Sequence, residues 1–479
     1  MRTIIVFLKF TIINLLFVLI ISNNIKAQST EKFLIGNWIG AIDIQGTKLT
    51  LVIRFNFNDK DSLIAVMDSP DQGAKDIQVS KLTIRNDSVI IRVKKLSVTI
   101  SGLLNKKDST INCLFRQSIM SSPLLLKKTD KVPTLNRPQE PKPPFPYKVN
   151  EVSFENYIDS ITLAGTLTLP KKGDKFPVTI MITGSGPQNR DEELLGHKPF
   201  LVIADYLTRN GIAVLRFDDR GIGKSKGDFT KATSLDFAND VEAAINYLKK
   251  HPNIDVSKIG LIGHSEGGLI APIVASRNKD VNFIVLLAGP GLSGEQILLK
   301  QAALIAKVEG TDEKEIKETT AMSAEIYKIL IKEPDNTKAG EKIKKVYDRA
   351  TKKMSNEEKE KSGLNEARRD MTIQQVTSKW FRTFLITDPQ IYLSKVKCPV
   401  LALNGANDLQ VPPDEDLVAI ENALKKAGNT NYKTMKLPEL NHLFQHCTTG
   451  SPSDYSKIEE TISPEVLQII SDWINNIVK

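Results

Sequence analysis

Cysteine and histidine are scarce in this chain. Three cysteines (Cys113, Cys398, Cys447) and five histidines are spread over 479 residues. Neither C-x-x-C nor H-E-x-x-H occurs, which argues against a zinc site and against a disulfide scaffold. Spacing does not decide whether Cys398 and Cys447 pair. A concentrated patch of one charge is also missing. The formal net charge is +9, but the lysines are scattered among acids, so no basic stripe of the kind that follows a nucleic-acid backbone is present. Beyond the amino terminus no apolar run approaches the roughly 20 residues a membrane-spanning helix needs. The phosphate-loop pattern G-x-x-x-x-G-K-[ST] is absent from the one Gly-rich loop that invites it, Gly184-Ser185-Gly186-Pro187.

What the chain does contain is organised in blocks. Arg2 and Lys9 precede an apolar run from Phe10 to Ile21, and a polar stretch then ends in the small residue Ala27. This is the layout of a secretory signal peptide over residues 1–27, cleaved after Ala27. The run is too short for a spanning anchor, so the mature protein is expected to be soluble and secreted or periplasmic, with no membrane span. Residues 28–130 carry period-two apolar patterns: Leu49, Leu51, Ile53, Phe55 and Phe57; Val89, Ile91 and Val93; Leu96, Val98 and Ile100; Ile111, Cys113 and Phe115. Such spacing predicts short strands of a small antiparallel all-β barrel or sandwich with no catalytic constellation. Asp68-Ser69-Pro70-Asp71-Gln72-Gly73 reads there as turn chemistry rather than a ligand site. Six prolines between Pro133 and Pro146 predict an extended, semi-stiff linker over 131–148.

From residue 149 to 479 strands and helices alternate. The strands expected are Phe176–Thr183, Ile212–Phe217, Ile259–Ile262, Phe283–Leu287, Val400–Leu403 and Tyr432–Leu437, with Ile161–Leu169 as an edge hairpin. The helices expected are Pro199–Asn210, Asp236–Lys250 and one opening at Ser463-Pro464-Glu465. Alternation of this kind means an α/β fold, a mostly parallel sheet with helices on both faces. Residues 291–390 interrupt it with Lys-, Glu- and Ala-rich helical sequence. Inserted at the carboxyl edge of the sheet, they are expected to form a helical cap over the ligand crevice.

Chemistry concentrates at Gly263-His264-Ser265-Glu266-Gly267, a G-x-S-x-G between an apolar strand and a helix. A bare match is weak, because glycine and serine are common; here both flanks fit the nucleophile elbow, which lifts a serine hydroxyl above the sheet. Serine is a poor nucleophile at neutral pH and needs a base and an acid that orients the base. The expected order is Ser, Asp, His. Asp408 follows Val400–Leu403, and His442 follows Tyr432–Leu437, so both land on the edge that carries Ser265. His446 is a rival base, and Asp414 and Asp416 are rival acids that sit past Pro412-Pro413, where a helix should start. His264, next to the serine, should face away from it. An oxyanion needs preset donors: the backbone N–H of Glu266 and that of Ser185, with Gly186 as the alternative to Ser185.

Together with Gly184–Glu192, Arg216–Ser225 (Arg-Phe-Asp-Asp-Arg-Gly-Ile-Gly-Lys-Ser), Asn404–Asp408 and Asn441–Phe444, the elbow makes residues 149–479 resemble the α/β-hydrolase superfamily. The branch resembled is that of exported bacterial serine esterases related to dienelactone hydrolases and to prolyl-oligopeptidase catalytic domains. The resemblance implies a Ser265-Asp408-His442 triad that cleaves small acyl esters through an acyl-enzyme, without metal or cofactor. Two other readings stay open. One is a serine peptidase of the prolyl-oligopeptidase kind, although the β region is too short for a propeller. The other is a non-catalytic envelope-binding protein on a hydrolase scaffold. The β domain is the candidate for any envelope contact.

Overall fold

A computed structural model describes residues 30–44, 47–117, 120–132 and 135–479. The leader expected over 1–27 lies outside them. Two compact units meet in sequence between Asn136 and Arg137, with Leu194–Gly196 counted to the first.

Nine strands of the first unit, β1 (Gly36–Ile44), β2 (Thr47–Phe57), β3 (Leu63–Ser69), β4 (Ala74–Gln78), β5 (Lys81–Arg85), β6 (Ser88–Val93), β7 (Val98–Asn105), β8 (Thr110–Gln117) and β9 (Met120–Thr129), form one antiparallel sheet ordered β4-β3-β2-β1-β9-β8-β7-β6-β5. Alternation places Leu51, Ile53 and Phe55, then Val89, Ile91 and Val93, in one core with Trp38, Ile100 and Ile111. In a flat sheet β2 and β7 would stand four strand spacings, about 19 Å, apart. Sharing a core, they require the sheet to curl around it, so this is one wrapped sheet rather than two facing ones. Leu96 departs from expectation: Lys94–Leu96 is a 3-10 turn with Leu96 exposed, and β7 begins two residues later.

The second unit holds an eight-stranded mixed sheet. Its strands are β10 (Lys148–Asn156), β11 (Ile161–Leu169), β12 (Phe176–Ile182), β13 (Ala213–Phe217), β14 (Ile254–His264), β15 (Phe283–Leu287), β16 (Val400–Gly405) and β17 (Tyr432–Leu437), in the order β10-β11-β13-β12-β14-β15-β16-β17. The pairs β10–β11 and β11–β13 are antiparallel, and β13 through β17 run parallel. Strand β10 takes the edge that the sequence assigned to Ile161–Leu169.

Helices follow as α1 (Pro199–Arg209), α2 (Ser234–Leu248) and α3 (Glu266–Ala275). After β15 come α4 (Gly294–Val308), α5 (Glu313–Lys332), α6 (Asn336–Ala350), α7 (Asn356–Lys361), α8 (Glu366–Val376), α9 (Lys379–Ile386) and α10 (Pro389–Leu393). Helices α11 (Pro413–Lys426) and α12 (Pro464–Ile477) complete the unit. The parallel strands are apolar on both faces, as a doubly covered sheet requires. Val178, Ile180, Leu261 and Leu286 pack with Val241, Ile245, Leu269 and Ile420 from α2, α3 and α11. Met181, Val214, Ile262 and Leu401 pack on the opposite face with Phe200, Leu207, Ile470 and Ile474 from α1 and α12.

The proline-rich stretch does not hang free beside this unit. Arg137 donates to the carbonyls of Ser456 and Ile458 at 2.9 Å, and Gln139 bonds Thr461 and Ile462. Residues 137–147 form no strand or helix, since proline removes donors, but the Arg137 and Gln139 side chains fasten the segment down.

Candidate active site

Strands β12, β14, β16 and β17 run parallel, so the loops that follow them emerge at one end of the sheet. Strand β14 ends at His264 and α3 begins at Glu266, which leaves Ser265 alone to make the turn at φ 53 and ψ −118. A non-glycine residue rarely holds that conformation, and strain of this kind gathers at functional sites. The flanking glycines have steric causes. A Cβ on Gly263 would lie 2.0 Å from the Gly267 carbonyl oxygen, and one on Gly267 would lie 2.1 Å from that of Ile182.

Asp408 and His442 are brought together. His442 Nδ1 stands 2.8 Å from Asp408 Oδ2, and both side chains are buried. Asp408 Oδ1 accepts the N–H groups of Gln410 and Val411 at 2.7 and 2.9 Å, which fixes the carboxylate. Their loops are clasped because Gly405 carries no side chain: a Cβ there would meet the carbonyl oxygens of Leu440 and Asn441. Among the described residues the Ser265 hydroxyl makes no hydrogen bond to His442; such bonds are often long before substrate arrives.

The rivals go elsewhere. His446 is four residues from His442, yet its ring turns outward to Glu460 at 2.8 Å. Asp414 sits in the first turn of α11 and pairs with Lys436. Asp416 accepts the N–H groups of Gly291 and Leu292, holding the exit from β15, and burial pushes its carboxyl up to about 7. All three cysteines are free, so Cys398 and Cys447 are not bridged.

The loop after β12 borders Ser265. A Cβ built on Gly184 would stand 3.3 Å from Ser265 Cβ. Neither the Ser185 nor the Glu266 N–H is given to a backbone acceptor among the described residues. Asp219, 8 % exposed, clamps the loop by accepting from Thr183 Oγ1 at 2.7 Å and the Gln188 N–H at 2.9 Å. Burial, with the charges of Glu192 and Glu266 nearby, pushes its carboxyl up to about 8. The Glu266 side chain is buried too and raised by desolvation, although Ser234 Oγ donates to it at 2.6 Å and Trp380 Nε1, from α9, at 2.9 Å.

His264 is the residue whose partners sequence reasoning missed. Its side chain points off the strand into the loop layer. Nδ1 lies 3.0 Å from Glu192 Oε1, Nε2 lies 3.0 Å from the His442 carbonyl, and the two imidazole rings are 4.8 Å apart. A polar residue at the end of a buried strand must find partners, and the acids Asp191-Glu192-Glu193 just past the Gly-rich loop were the available signal.

The profile of the family described as serine aminopeptidase, S33, matches residues 200–446, just over half of the chain. The chain belongs to this family of α/β-hydrolases. The matched span takes in the elbow, Asp408 and His442, and stops short of the Gly-rich loop. The hydrolase is 25 % identical to esterase EstD of Thermotoga maritima over 337 residues, 69 % of each chain. It is 30 % identical to human acyl-coenzyme A thioesterase 1 over 127 residues, 26 % of each chain. Superposed on the Pyrococcus furiosus esterase Pf2001 it gives a TM-score of 0.40 at 17 % identity, covering 69 % of this chain and 93 % of that one.

Proposed function

We propose that this hydrolase is an exported serine carboxylesterase. Ser265 Oγ attacks the ester carbonyl carbon while His442 Nε2 takes its proton. Asp408 holds the other ring nitrogen and stabilises the imidazolium. Negative charge on the carbonyl oxygen is met by the N–H groups of Ser185 and Glu266. Collapse expels the alcohol, which receives the proton from His442 and leaves Ser265 acylated. Water, deprotonated by the same histidine, then attacks the acyl carbon, and the carboxylic acid departs. The helices α4 to α10 act as a cap whose Trp380 reaches the residue after the nucleophile. Export rests on the 1–27 pattern alone, and amino-terminal sequencing of secreted protein tests it.

The observation that carries this reading is the buried 2.8 Å His442–Asp408 pair at the sheet end where Gly184 abuts Ser265. The test is labelling by a fluorophosphonate and turnover of p-nitrophenyl acetate. Both should occur in the wild type and vanish in Ser265→Ala; turnover surviving in the pure variant would remove Ser265 from the mechanism.

The family description favours a second reading, amide cleavage from a peptide amino terminus. That reaction needs an acidic group for the substrate ammonium. Glu266 is the nearest buried acid in sequence, but Ser234 and Trp380 already occupy it. Esters are therefore the expected substrates, and side-by-side rates on aminoacyl anilides and matched esters decide between the two.

A further inference from the structure

We propose that Glu192 and His264 are positioning residues, a buried pair that sets the oxyanion loop and the base His442 in register with each other. The proposal rests on the triad reading above. Glu192 Oε1 accepts twice, from the Gly184 N–H at 2.7 Å and from His264 Nδ1 at 3.0 Å. The opposite ring nitrogen of His264 meets the His442 carbonyl at 3.0 Å. One carboxylate thus orients the Thr183–Gly184 peptide, which precedes the Ser185 N–H. Through the imidazole it also fixes the backbone that carries the base.

The chemistry of the atoms defines the protonation state. Both nitrogens of His264 face acceptors, a carboxylate and a carbonyl, and a neutral imidazole has one N–H. The two bonds coexist when the ring is an imidazolium on an ionised Glu192. Burial lowers the basicity of His264, and the charge of Glu192 and its hydrogen bond more than reverse this, so its pKa is raised. The other titratable groups facing the ring are His442 and Asp408, from the loops after β17 and β16. Glu192 itself holds φ 50 and is 4 % exposed. A left-handed backbone at a glutamate is strained, and such strain persists where surrounding contacts demand it.

Full-length wild type, E192Q, H264Q and the double variant are compared on p-nitrophenyl acetate between pH 5 and pH 9. Misplaced donors and base should lower kcat on the order of 10- to 100-fold while KM moves little. The charge-specific readout is the acid limb of kcat/KM. H264Q removes a cation whose ring lies 4.8 Å from His442 and leaves a bare carboxylate, so its limb shifts to higher pH. E192Q removes the anion and shifts the limb to lower pH or leaves it in place. Opposite displacements are not produced by a purely structural role. Should either variant fail to fold, nitrogen-15 NMR of histidine-labelled wild type at neutral pH serves instead: two ring N–H signals for His264 support the pair, and one overturns it. Unaltered kcat and acid limbs in folded variants also overturn it. A wild type that neither hydrolyses the ester nor takes the fluorophosphonate defeats the triad reading itself, a result separate from either of these.

Discussion

In the wrapped antiparallel sheet, among the described residues, Asp68 is the buried charge, and Arg54 holds it through two contacts of 2.9 Å. At the carboxyl ends of the parallel strands Glu192, Asp219, His264, Glu266, Asp408 and His442 are all buried. Taking an ionisable group out of water costs several kcal/mol unless it is paired. A fold that gathers six at one rim has a use for them, whereas a sheet that buries a single paired one is built for packing. The comparison separates a unit that carries structure from a rim that carries chemistry, and substitutions in each should fail differently.

The largest effect is expected at the rim. Ser265→Ala should lower kcat by about 10⁴- to 10⁶-fold, since removing the nucleophile of the proposed triad discards the whole relay. Its melting temperature should stay near that of the wild type, because a half-buried hydroxyl is lost. Next comes the packing unit. Phe55 is fully buried in the wrapped core, and Phe55→Ala should destabilise that unit by about 3–5 kcal/mol through lost transfer energy and a cavity. Chemical denaturation followed by circular dichroism measures it. A stability loss in Ser265→Ala as large as that of Phe55→Ala would erase the distinction.

Much of this contrast is legible in the sequence because periodicity reports burial. Leu51, Ile53 and Phe55 alternate and line one core, although Val52 between them is buried too; Ile259–Ile262 is continuous and its strand is buried on both faces. The elbow is legible because sterics leave glycine no substitute at 263 and 267. Asp408 and His442 follow from chain order plus the rule that loops after parallel strands share an end. The partners of buried polar groups are harder. Nothing local tells that His264 meets Glu192, 72 residues earlier in the chain, or that Trp380 crosses to Glu266, since long-range hydrogen bonds leave no period. Leu96 fits an alternating pattern by position, but the turn Lys94–Leu96, closed by Ser97 at φ 53, takes it out of the strand.

A third substitution sharpens the view of the rim as a place of tuned charge. Asp219 has a folded-state pKa of about 8, against about 3.9 for an exposed aspartate. The folded state therefore holds a proton that the unfolded chain has released. The contribution to stability is fully present below about pH 4, falls as pH rises through the window to about 8, and is flat above it. Asp219→Asn keeps a neutral side chain at every pH. The wild-type melting temperature should thus decline relative to that of the variant between pH 5 and pH 8, with a slope of at most about 1.4 kcal/mol per pH unit. Parallel curves would mean that the carboxylate is ionised beneath the oxyanion loop throughout.

The smallest effect tests whether the inserted helices belong to the rim at all. Trp380 stacks on Phe384 at 5.5 Å and sends its N–H to the Glu266 carboxylate. Trp380→Phe keeps the stacking and removes the donor, leaving the side-chain hydrogen bonds from Ser234, at 2.6 Å, and Ser185. A buried acceptor deprived of one partner costs about 1–3 kcal/mol, and the half-buried position of Trp380 puts the expected loss at the low end. The Glu266 backbone is the one asked to stabilise the oxyanion, so a small fall in kcat should accompany the change, well below that of E192Q. If kcat fell instead as far as in E192Q, the boundary drawn between packing and chemistry would have to move outward to include α9.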